Sequence, residues 1–523
     1  MVTKFLKQLI ISYFISYIYK GDFLKRVKVF LWNGILLTAT SLAMRTIGLS
    51  FNVYISNKIG TEAVGIYQLV MSIYLFAITL ANSGIHLAST RIVSEQLAYG
   101  FETGIKKAVK KCLSYSLFMG LLSCSLLFFL APWISTTWLH GKISSMPLRI
   151  LAFSLPFLAM SSSMQGYFTA MRNVKKTVVS QVLEQVLQIY FVTCFLNFFM
   201  PNGLEYACLS LVLGSTLSEV GSFLLLFCLY QRDKQKLQAN LYQDTNYTKQ
   251  ILKISIPIAI TSYIRSGLST LKQILIPLQL EKSGLSCERA LSQYGMIQAM
   301  AMPLILFPCT FINSFSSLLI PEFSYMQAKR SYEKMQVALS KIFKFSFIFS
   351  FLVLGIFWCF SRELSSFVYQ EPEVAKFVKI LAPLIVLMYI DSIVDSILKG
   401  LDKQVLVMGI NILDLLISVF CIYFLLPVSG IYGYILVIFI SELINGLLSF
   451  CMLVKYTNLK IDFANWLLKP FFSIVLVNFI FSFLDFDLSN SLFSLILKLG
   501  LYILFYWILL ILSKGFVKED IKI

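Results

Sequence analysis

The stretch that decides the fold is ILKISIPIAITSYIRSGLSTLKQILIPLQ, residues 251–279, most of whose residues are apolar or small. A helix rises about 1.5 Å per residue, and about 20 residues cross the hydrocarbon layer of a bilayer. Arg265 and Lys272 lie inside this stretch, where an ionisable side chain costs at least about 2.5–3.5 kcal/mol. A long apolar helix that keeps two cations is typical of a membrane protein with a polar interior.

The composition of the whole chain points the same way. Of its 523 residues, 58% are hydrophobic and 13% are charged, and the mean hydropathy is +0.79. Soluble domains carry about 25% charged residues, so a soluble enzyme, a disordered chain and a disulfide-rich secreted domain are disfavoured. The apolar runs are too long for the alternating strands of a membrane β-barrel. The sequence therefore predicts an all-α polytopic membrane protein.

Fourteen apolar runs are long enough to cross a bilayer. The predicted spans are 30–56, 64–85, 112–136, 149–171, 177–199, 206–230, 251–279, 294–320, 342–360, 378–398, 404–426, 431–453, 464–484 and 490–513. Proline removes a helical hydrogen bond, so Pro303 and Pro308 are expected to break the eighth span.

Basic residues fall mainly on one side of these spans. With the N-terminus inside, the cytoplasmic loops hold 32 Lys and Arg residues, the outer loops 8 and the spans 4. Lys and Arg collect on cytoplasmic loops, so the bias predicts a plasma-membrane protein with both termini in the cytoplasm. It also accounts for the net charge of +18 without a nucleic-acid partner. The short apolar segment 5–19 has basic flanks and is expected to lie in the cytoplasmic interface, although a spanning position stays open.

Polar residues that recur along the chain indicate an internal repeat of six spans. Gln181 and Glu184 match Asn411 and Asp414 at an offset of 230, and Ser218-Glu219 matches Ser441-Glu442 at an offset of 223. Because six is even, both copies enter the membrane in the same direction, as in transporters that hold their substrate between two halves. The predicted organisation is an N-terminal extension (1–28), an N-lobe (29–230), a cytoplasmic linker (231–250), a C-lobe (251–455) and two last helices with a cytoplasmic tail (456–523).

Three cations lie inside the spans that begin the two lobes. Arg45 belongs to the first span, and Arg265 and Lys272 belong to the seventh, seven residues apart and therefore on one helix face. Arg binds phosphate through a planar fork, and Lys binds it as a point charge. These cations predict an anion-binding cavity between the lobes. The alternative is that each cation pairs with a buried acid.

Oxygen-bearing side chains recur in the spans as well. Asp391 and Asp395 share a face of the tenth span, and Asn411 and Asp414 share a face of the eleventh. They would suit a coupling ion, Na⁺ or H⁺, because hard cations take oxygen ligands and acid chains carry protons in transporters. Interhelical hydrogen bonding is the alternative.

Further polar residues are expected to face protein or water. Glu219 and Glu442, near the middles of the sixth and twelfth spans, are expected to share a packing role. A polar stripe at helical spacing runs along the fifth span and consists of Gln181, Glu184, Gln185 and Gln188.

Neither an enzyme nor a resident metal or other cofactor is expected, apart from the coupling ion. No nucleotide-binding or hydrolase motif is present, the ten cysteines are scattered singly, and the chain has only two histidines, His86 and His140.

Three stretches carry a family resemblance. The first is RTIG (45–48), NKIGTEAVGIYQLVMSIY (57–74) and GIHLASTRIVSEQ (84–96); the second is SQVLEQVLQ (180–188); the third is ISIPIAITSYIRSGLSTLKQILIP (254–277) with ERALSQYGMIQAMAMPLILFPCTFINSFSSLLIPEFS (288–324). They resemble the stage V sporulation protein B family. That family belongs to the polysaccharide-transporter branch of the multidrug/oligosaccharidyl-lipid/polysaccharide exporter superfamily.

The resemblance implies fourteen helices in two six-helix lobes and a lipid bilayer as partner. It implies flipping of an undecaprenyl-pyrophosphate-linked saccharide, with lipid II for peptidoglycan or spore cortex synthesis as the expected cargo. Arg45 and Arg265 resemble cavity arginines of related flippases, and Arg91 is a candidate for the cavity mouth. Two features depart from the family pattern: the 28 N-terminal residues, and Gln188 where a basic residue is expected.

Two alternatives remain open. A multidrug cation antiporter on the same fold would carry acids rather than Arg45 in its N-lobe cavity, and Glu184 keeps this hypothesis open. A non-transporting scaffold for cell-wall synthesis proteins would tolerate the loss of Arg45 and Arg265.

The charge bias predicts the side of each terminus. Fusion of a fluorescent protein to either terminus should give fluorescence, and fusion of alkaline phosphatase at the same places should give no activity, because phosphatase matures only outside. Phosphatase fused in an outer loop, after Glu371, is the positive control. An active phosphatase at the C-terminus would contradict the topology.

Overall fold

The computed structural model describes residues 2–137, 144–199, 204–237, 246–459, 461–483 and 492–516. These parts of the chain contain helices and no strand, which confirms the all-α prediction. The chain divides into two compact units, Met1–Ile47 and Gly48–Ile523.

Most of the predicted apolar runs lie within helices of the described ranges, and two further helices, α2 and α12, lie between predicted runs. In chain order they are α1 (Val2–Asn82), α2 (Ile85–Ala98), α3 (Glu102–Thr137), α4 (Met146–Ala170), α5 (Val174–Phe199), α6 (Leu204–Lys236), α7 (Tyr247–Lys282), α8 (Cys287–Gly295), α9 (Met302–Leu306), α10 (Cys309–Ala328), α11 (Tyr332–Cys359), α12 (Ser361–Tyr369), α13 (Pro372–Leu381), α14 (Leu384–Gly400), α15 (Gln404–Thr457), α16 (Lys469–Phe483) and α17 (Leu492–Leu512). The segment 5–19 lies within α1, so it is helical, and its place relative to a bilayer stays a prediction. Of the predicted linker, residues 238–245 lie outside the described residues.

The number of spans stays a prediction. Ten helices in the described ranges are long and apolar enough to cross a membrane, or eleven if the bent pair of α13 and α14 is one span. Two of the ten, Leu42–Ala98 with 57 residues and Gln404–Thr457 with 54, are each long enough for two crossings. Each contains a glycine with non-helical backbone angles, Gly60 at φ 82° and Gly430 at φ 57°. The count reaches fourteen if each of these two long helices is divided at its glycine, the bent pair is one span and the broken α8–α10 stretch is another.

Prolines mark the breaks within the other spans. The predicted eighth span consists of α8, a π-helical turn at Met296–Ala301, α9 and α10, and Pro308 lies in the gap between α9 and α10. Pro383 lies between α13 and α14, whose axes differ by 59°. Proline lacks the N–H that a continuous helix needs, so the predicted break of the eighth span is confirmed.

Each half of the chain has its own apolar packing. In the N-lobe, α4 packs on α2, α3 and α6, and the side chains of Val93, Val109, Phe168 and Leu226 form one buried cluster among these four helices. In the C-lobe, α14 packs against α10, α11 and α15. The relation of the two lobes by a symmetry axis stays a prediction.

The lobes contact each other at both ends of the predicted second span. At one end, the Thr61 hydroxyl lies 2.7 Å from the Ser292 hydroxyl, and Gly65 and Gly295 allow the backbones of α1 and α8 to come close together. At the other end, apolar residues of α2 pack against the first turns of α7. The contact at the first of these ends is possible because Gly65 and Gly295 have no side chain.

Gly65→Ala should lower the apparent unfolding temperature of the purified protein. Its Cβ would lie 2.2 Å from the carbonyl oxygen of Leu291, and overpacking of this kind costs about 1–3 kcal/mol. Gly409→Ala is the matched control, because nothing lies within 4 Å of its Cβ and alanine favours a helix. Equal unfolding temperatures for the two variants would contradict the close packing.

Candidate functional site

Helix α7 lies between the N-lobe and α15. The Thr270 hydroxyl donates to the carbonyl oxygen of Ser72 at 2.9 Å, and the Thr79 hydroxyl donates to Ser266 at 3.1 Å. These bonds join α7 to the second half of α1. A different face of α7, which carries Lys272, contacts α15.

A chain of hydrogen bonds runs from Lys272 to Asp414. The Lys272 ammonium donates to the Ser418 hydroxyl at 3.2 Å, Ser418 donates to Ser441 at 3.1 Å, and Ser441 donates to an Asp414 carboxylate oxygen at 2.6 Å. Asp414 and Glu442 are the acids whose charges act on Lys272. Lys272 therefore interacts with acids of the C-lobe, which is the alternative that the sequence left open. A role for Lys272 at the substrate stays a prediction.

The other acids of the C-lobe lie on α14. The Asn445 amide donates to an Asp391 oxygen at 3.2 Å and to the Asn411 oxygen at 3.4 Å. Asp395 forms an ion pair with Lys399 on the same helix at 3.4 Å. The structure thus brings Asp391 and Asn411 together through Asn445, and Asp395, besides its pairing with Lys399, also interacts with Asn411.

Three oxygen atoms at Asp391 form no hydrogen bond of good geometry. They are the second Asp391 carboxylate oxygen, the Asn445 amide oxygen and the Ser449 hydroxyl, all shielded from solvent, and the Ser449 hydroxyl interacts with Asp391. No group of three His, Cys, Asp or Glu side chains in the described ranges could hold a metal ion. Buried polar atoms cost free energy unless they are bonded, and amide, hydroxyl and carboxylate oxygens are what a hard monovalent cation or a proton would use. The coupling-ion role of these residues stays a prediction.

The predicted cavity arginines are exposed side chains. Arg265 is exposed on α7, and it forms no ion pair or hydrogen bond with another side chain in the described ranges. Arg91 is exposed on α2. Arg45 is exposed on α1 and belongs to the unit Met1–Ile47. Convergence of these arginines on one anion stays a prediction.

A cavity of about 430 Å³ lies among α1, α3 and α7. Its lining is almost wholly apolar and includes Phe76, Leu126, Trp133, Gly267 and Leu271. Arg265 is not among the residues that line it. This cavity suits a hydrocarbon chain and differs from the cationic cavity that the sequence predicts.

The polar stripe of α5 faces α6 in part. The Gln188 amide donates to the Ser215 hydroxyl at 3.2 Å. Glu184 and Gln185 are half-buried, and Gln181 is exposed. That the whole stripe faces protein or water stays a prediction, and Gln188 bonds to α6 where the family resemblance implies a basic residue.

The two repeated glutamates have different partners. Glu219 accepts a hydrogen bond from the Tyr74 hydroxyl at 2.6 Å, and Tyr74 also contacts the Ser154 hydroxyl. Glu219 thus joins α1, α4 and α6. Glu442 lies instead among the charges of Asp391, Asp414 and Lys272, so the two positions do not share one role.

The interpretation of the sequence missed several residues of these networks. Ser441, Asn445 and Ser449 recur every four residues along α15 and therefore lie on one helix face. This spacing of polar residues in an apolar helix was a usable signal. Tyr74 and Ser418 gave no such signal, because a single Tyr or Ser is common in a membrane helix.

Comparison with known proteins gives two matching families. The model of a family described as "Polysaccharide biosynthesis protein" matches residues 30–327, and the model of the MatE family matches residues 283–424. The first match begins beside the predicted boundary of the N-terminal extension.

Relatives and solved structures agree with the family resemblance. Stage V sporulation protein B of Bacillus subtilis (strain 168) is 26% identical over 506 residues, covering 95% of this chain and 97% of that protein. The lipid II flippase MurJ of the same organism is 21% identical over 403 residues, covering 70% and 72%.

Two solved structures share the fold at 14% identity. Lipid II flippase MurJ in an inward closed conformation gives a TM-score of 0.71, covering 92% of this chain and 99% of that one. An inward-facing multidrug resistance MATE family transporter of the MOP superfamily gives 0.63, covering 79% and 94%. The chain is a multi-pass membrane protein with the fold of transporters rather than of an enzyme, and the predicted resemblance is confirmed.

Tyr74→Phe should lower the apparent unfolding temperature, because it removes the hydroxyl that donates to the Glu219 carboxylate and contacts the Ser154 hydroxyl. Loss of a partner by a buried polar group costs about 1–3 kcal/mol. Tyr190→Phe is the control, since Tyr190 is 61% exposed. Equal effects of the two changes would show that the Tyr74 hydroxyl does not hold α1, α4 and α6 together.

Proposed function

The chain belongs to the polysaccharide biosynthesis protein family, and from this premise we propose that it flips a lipid-linked saccharide across the bilayer. The cargo is an undecaprenyl-pyrophosphate-linked saccharide, and lipid II is the first candidate. The similarity to a lipid II flippase of Bacillus subtilis supports this choice of cargo, and so does the likeness in fold to a solved lipid II flippase.

The observation that carries the proposal is the Arg265 guanidinium. It lies in an apolar helix that is long enough to cross the membrane, with an exposed side chain and no counter-ion among the described side chains. A guanidinium at bilayer depth needs an anionic partner or water, and it binds a pyrophosphate through two parallel hydrogen bonds. In the proposed mechanism Arg265 and Arg45 bind the pyrophosphate from the cytoplasmic side, and Arg91 lies at the entrance.

Alternating access then carries the head group across. The two lobes would rock about the contacts that join them, while the lipid tail stays in the hydrocarbon layer. We propose that both termini lie in the cytoplasm of a plasma-membrane protein, as the charge bias predicts. The coupling ion, H⁺ or Na⁺, would act at Asp391, Asp395, Asn411 and Asp414, and proteins of cell-wall synthesis are proposed partners.

The second candidate is a multidrug cation antiporter. The MatE match at residues 283–424 and the MATE transporter structure favour it. An antiporter for organic cations needs acids in its cavity, whereas Arg265 of α7 is a cation without a counter-ion among the described side chains. We therefore place the flippase first.

Lipid II translocation in proteoliposomes tests the proposal. The wild-type protein should move lipid II, and Arg45→Ala/Arg265→Ala should reduce the initial rate by about 10-fold or more. A charged hydrogen bond is worth about 1.5–3 kcal/mol, and about 1.4 kcal/mol is a factor of ten. The readout is the accessibility of the head group on the far leaflet. Arg289→Ala, an exposed arginine on α8, is the matched control.

The outcomes separate the hypotheses. A folded double variant that flips lipid II at the wild-type rate would contradict the role of the arginines. A folded wild type that does not move lipid II, with or without an imposed potential and a sodium gradient, would contradict this cargo. Efflux of an organic cation by that wild type would then support the antiporter.

A further inference from the structure

The hydrogen bonds between Lys272 and Asp414 have a single direction. A serine hydroxyl has one proton to donate. Lys272 donates to Ser418, so the Ser418 proton is directed to Ser441 and the Ser441 proton to the Asp414 carboxylate. The chain thus has a cation at one end and a carboxylate at the other, and both serines between them are buried, with 1% and 5% exposure.

The acids around this chain outnumber the lysines. In the described part of the C-lobe, the charge of Asp391 interacts with those of Asp395, Asp414 and Glu442, and Glu442 also interacts with Asp414, whereas the lysines beside these four acids are Lys272 and Lys399. Lys399 is paired with Asp395 at 3.4 Å. Lys272 is therefore the cation that interacts with Asp414 and Glu442. This interaction matters because a carboxylate without a counter-charge is costly in a medium of low dielectric constant.

We propose that Lys272 is a tethered counter-cation for Asp414, which acts through Ser418 and Ser441 and excludes a free monovalent cation from the space between them. An ammonium on a flexible four-carbon stem is a compact point charge. It is bonded to the Ser418 hydroxyl, an oxygen that Na⁺ bound beside Asp414 would need, and like charges repel each other strongly in a medium of low dielectric constant. The predicted coupling-ion group is thereby divided: Asp414 belongs to Lys272, and a mobile ion is left with Asp391, Asn411 and Asn445.

Lys272 thereby affects ion specificity. With the Lys272 ammonium in place, no sodium binds beside Asp414. Without it, Asp414, Glu442 and the two serine hydroxyls form an oxygen-lined negative site that attracts one. The consequence for coupling rests on the proposed function, whereas the exclusion of the cation does not.

The test is the response of the full-length protein to sodium. Apparent unfolding temperatures are measured in lipid nanodiscs, in NaCl and in choline chloride of equal ionic strength. Lys272→Met should be stabilised by sodium about 2–4 °C more than the wild type, because a ligand that binds the folded state raises its stability. Lys272→Arg keeps the cation and should respond as the wild type does.

Two further variants identify the site. Lys272→Met/Asp414→Asn should lose the additional sodium response, because the carboxylate that attracts the ion is gone. Lys498→Met removes another lysine from a predicted span, away from these acids, and should respond as the wild type does. If Lys272→Met does not fold, Lys272→Gln keeps a donor for Ser418 without the charge and takes its place.

A sodium response of the neutral variant equal to that of the wild type would overturn the proposal. A response of Lys272→Arg equal to that of Lys272→Met would overturn it as well, since loss of shape rather than of charge would then be the cause. The unfolding temperatures are measured without a transport assay. A failure to translocate lipid II would therefore not contradict the role of Lys272, and equal sodium responses would not contradict the proposed flippase function.

Discussion

Helix α7 must place polar and charged side chains at a depth where the bilayer offers no water. Each such group needs a partner in another helix, in a water-filled cavity or in a substrate. Thr270 finds its partner in the backbone of α1, and Lys272 finds its partner in Ser418 of α15. Because α7 bonds to helices on two sides, it joins the N-lobe to the C-lobe.

The same constraint separates the cations that share a face of α7. Lys272 is seven residues beyond Arg265, which is about 10.5 Å along a helix. At its level α15 presents Asp414 from its first half and Ser441 from its second half, so Lys272 has acids within reach. Arg265 has no such neighbour in the described ranges. One cation thus has partners within the protein, and an anionic substrate is the proposed partner of the other.

The polar contacts between paired helices follow a common plan with different chemistry. In the N-lobe, Gln188 of α5 bonds to Ser215 of α6. In the C-lobe, the corresponding contact between the two halves of α15 carries Asp414 and the charge of Lys272. Both halves carry acids at the matching positions, Glu184 with Asp414 and Glu219 with Glu442. In the described ranges Glu219 accepts a hydrogen bond from Tyr74, whereas the C-lobe acids interact with the cation of Lys272.

The sequence by itself determined the membrane class, the helices and the break at Pro308, because apolar length, charge bias and the missing N–H of proline are local properties. It also identified Arg265, Lys272 and the acids as groups that need partners. Only the tertiary structure decided which partner each one has. Ser418 lies 146 residues from Lys272 along the chain, and a helical pattern gives the face of a residue but not the helix that covers it. The contacts of Tyr74 with Glu219, and of Lys272 with the C-lobe acids, therefore depend on how the helices pack.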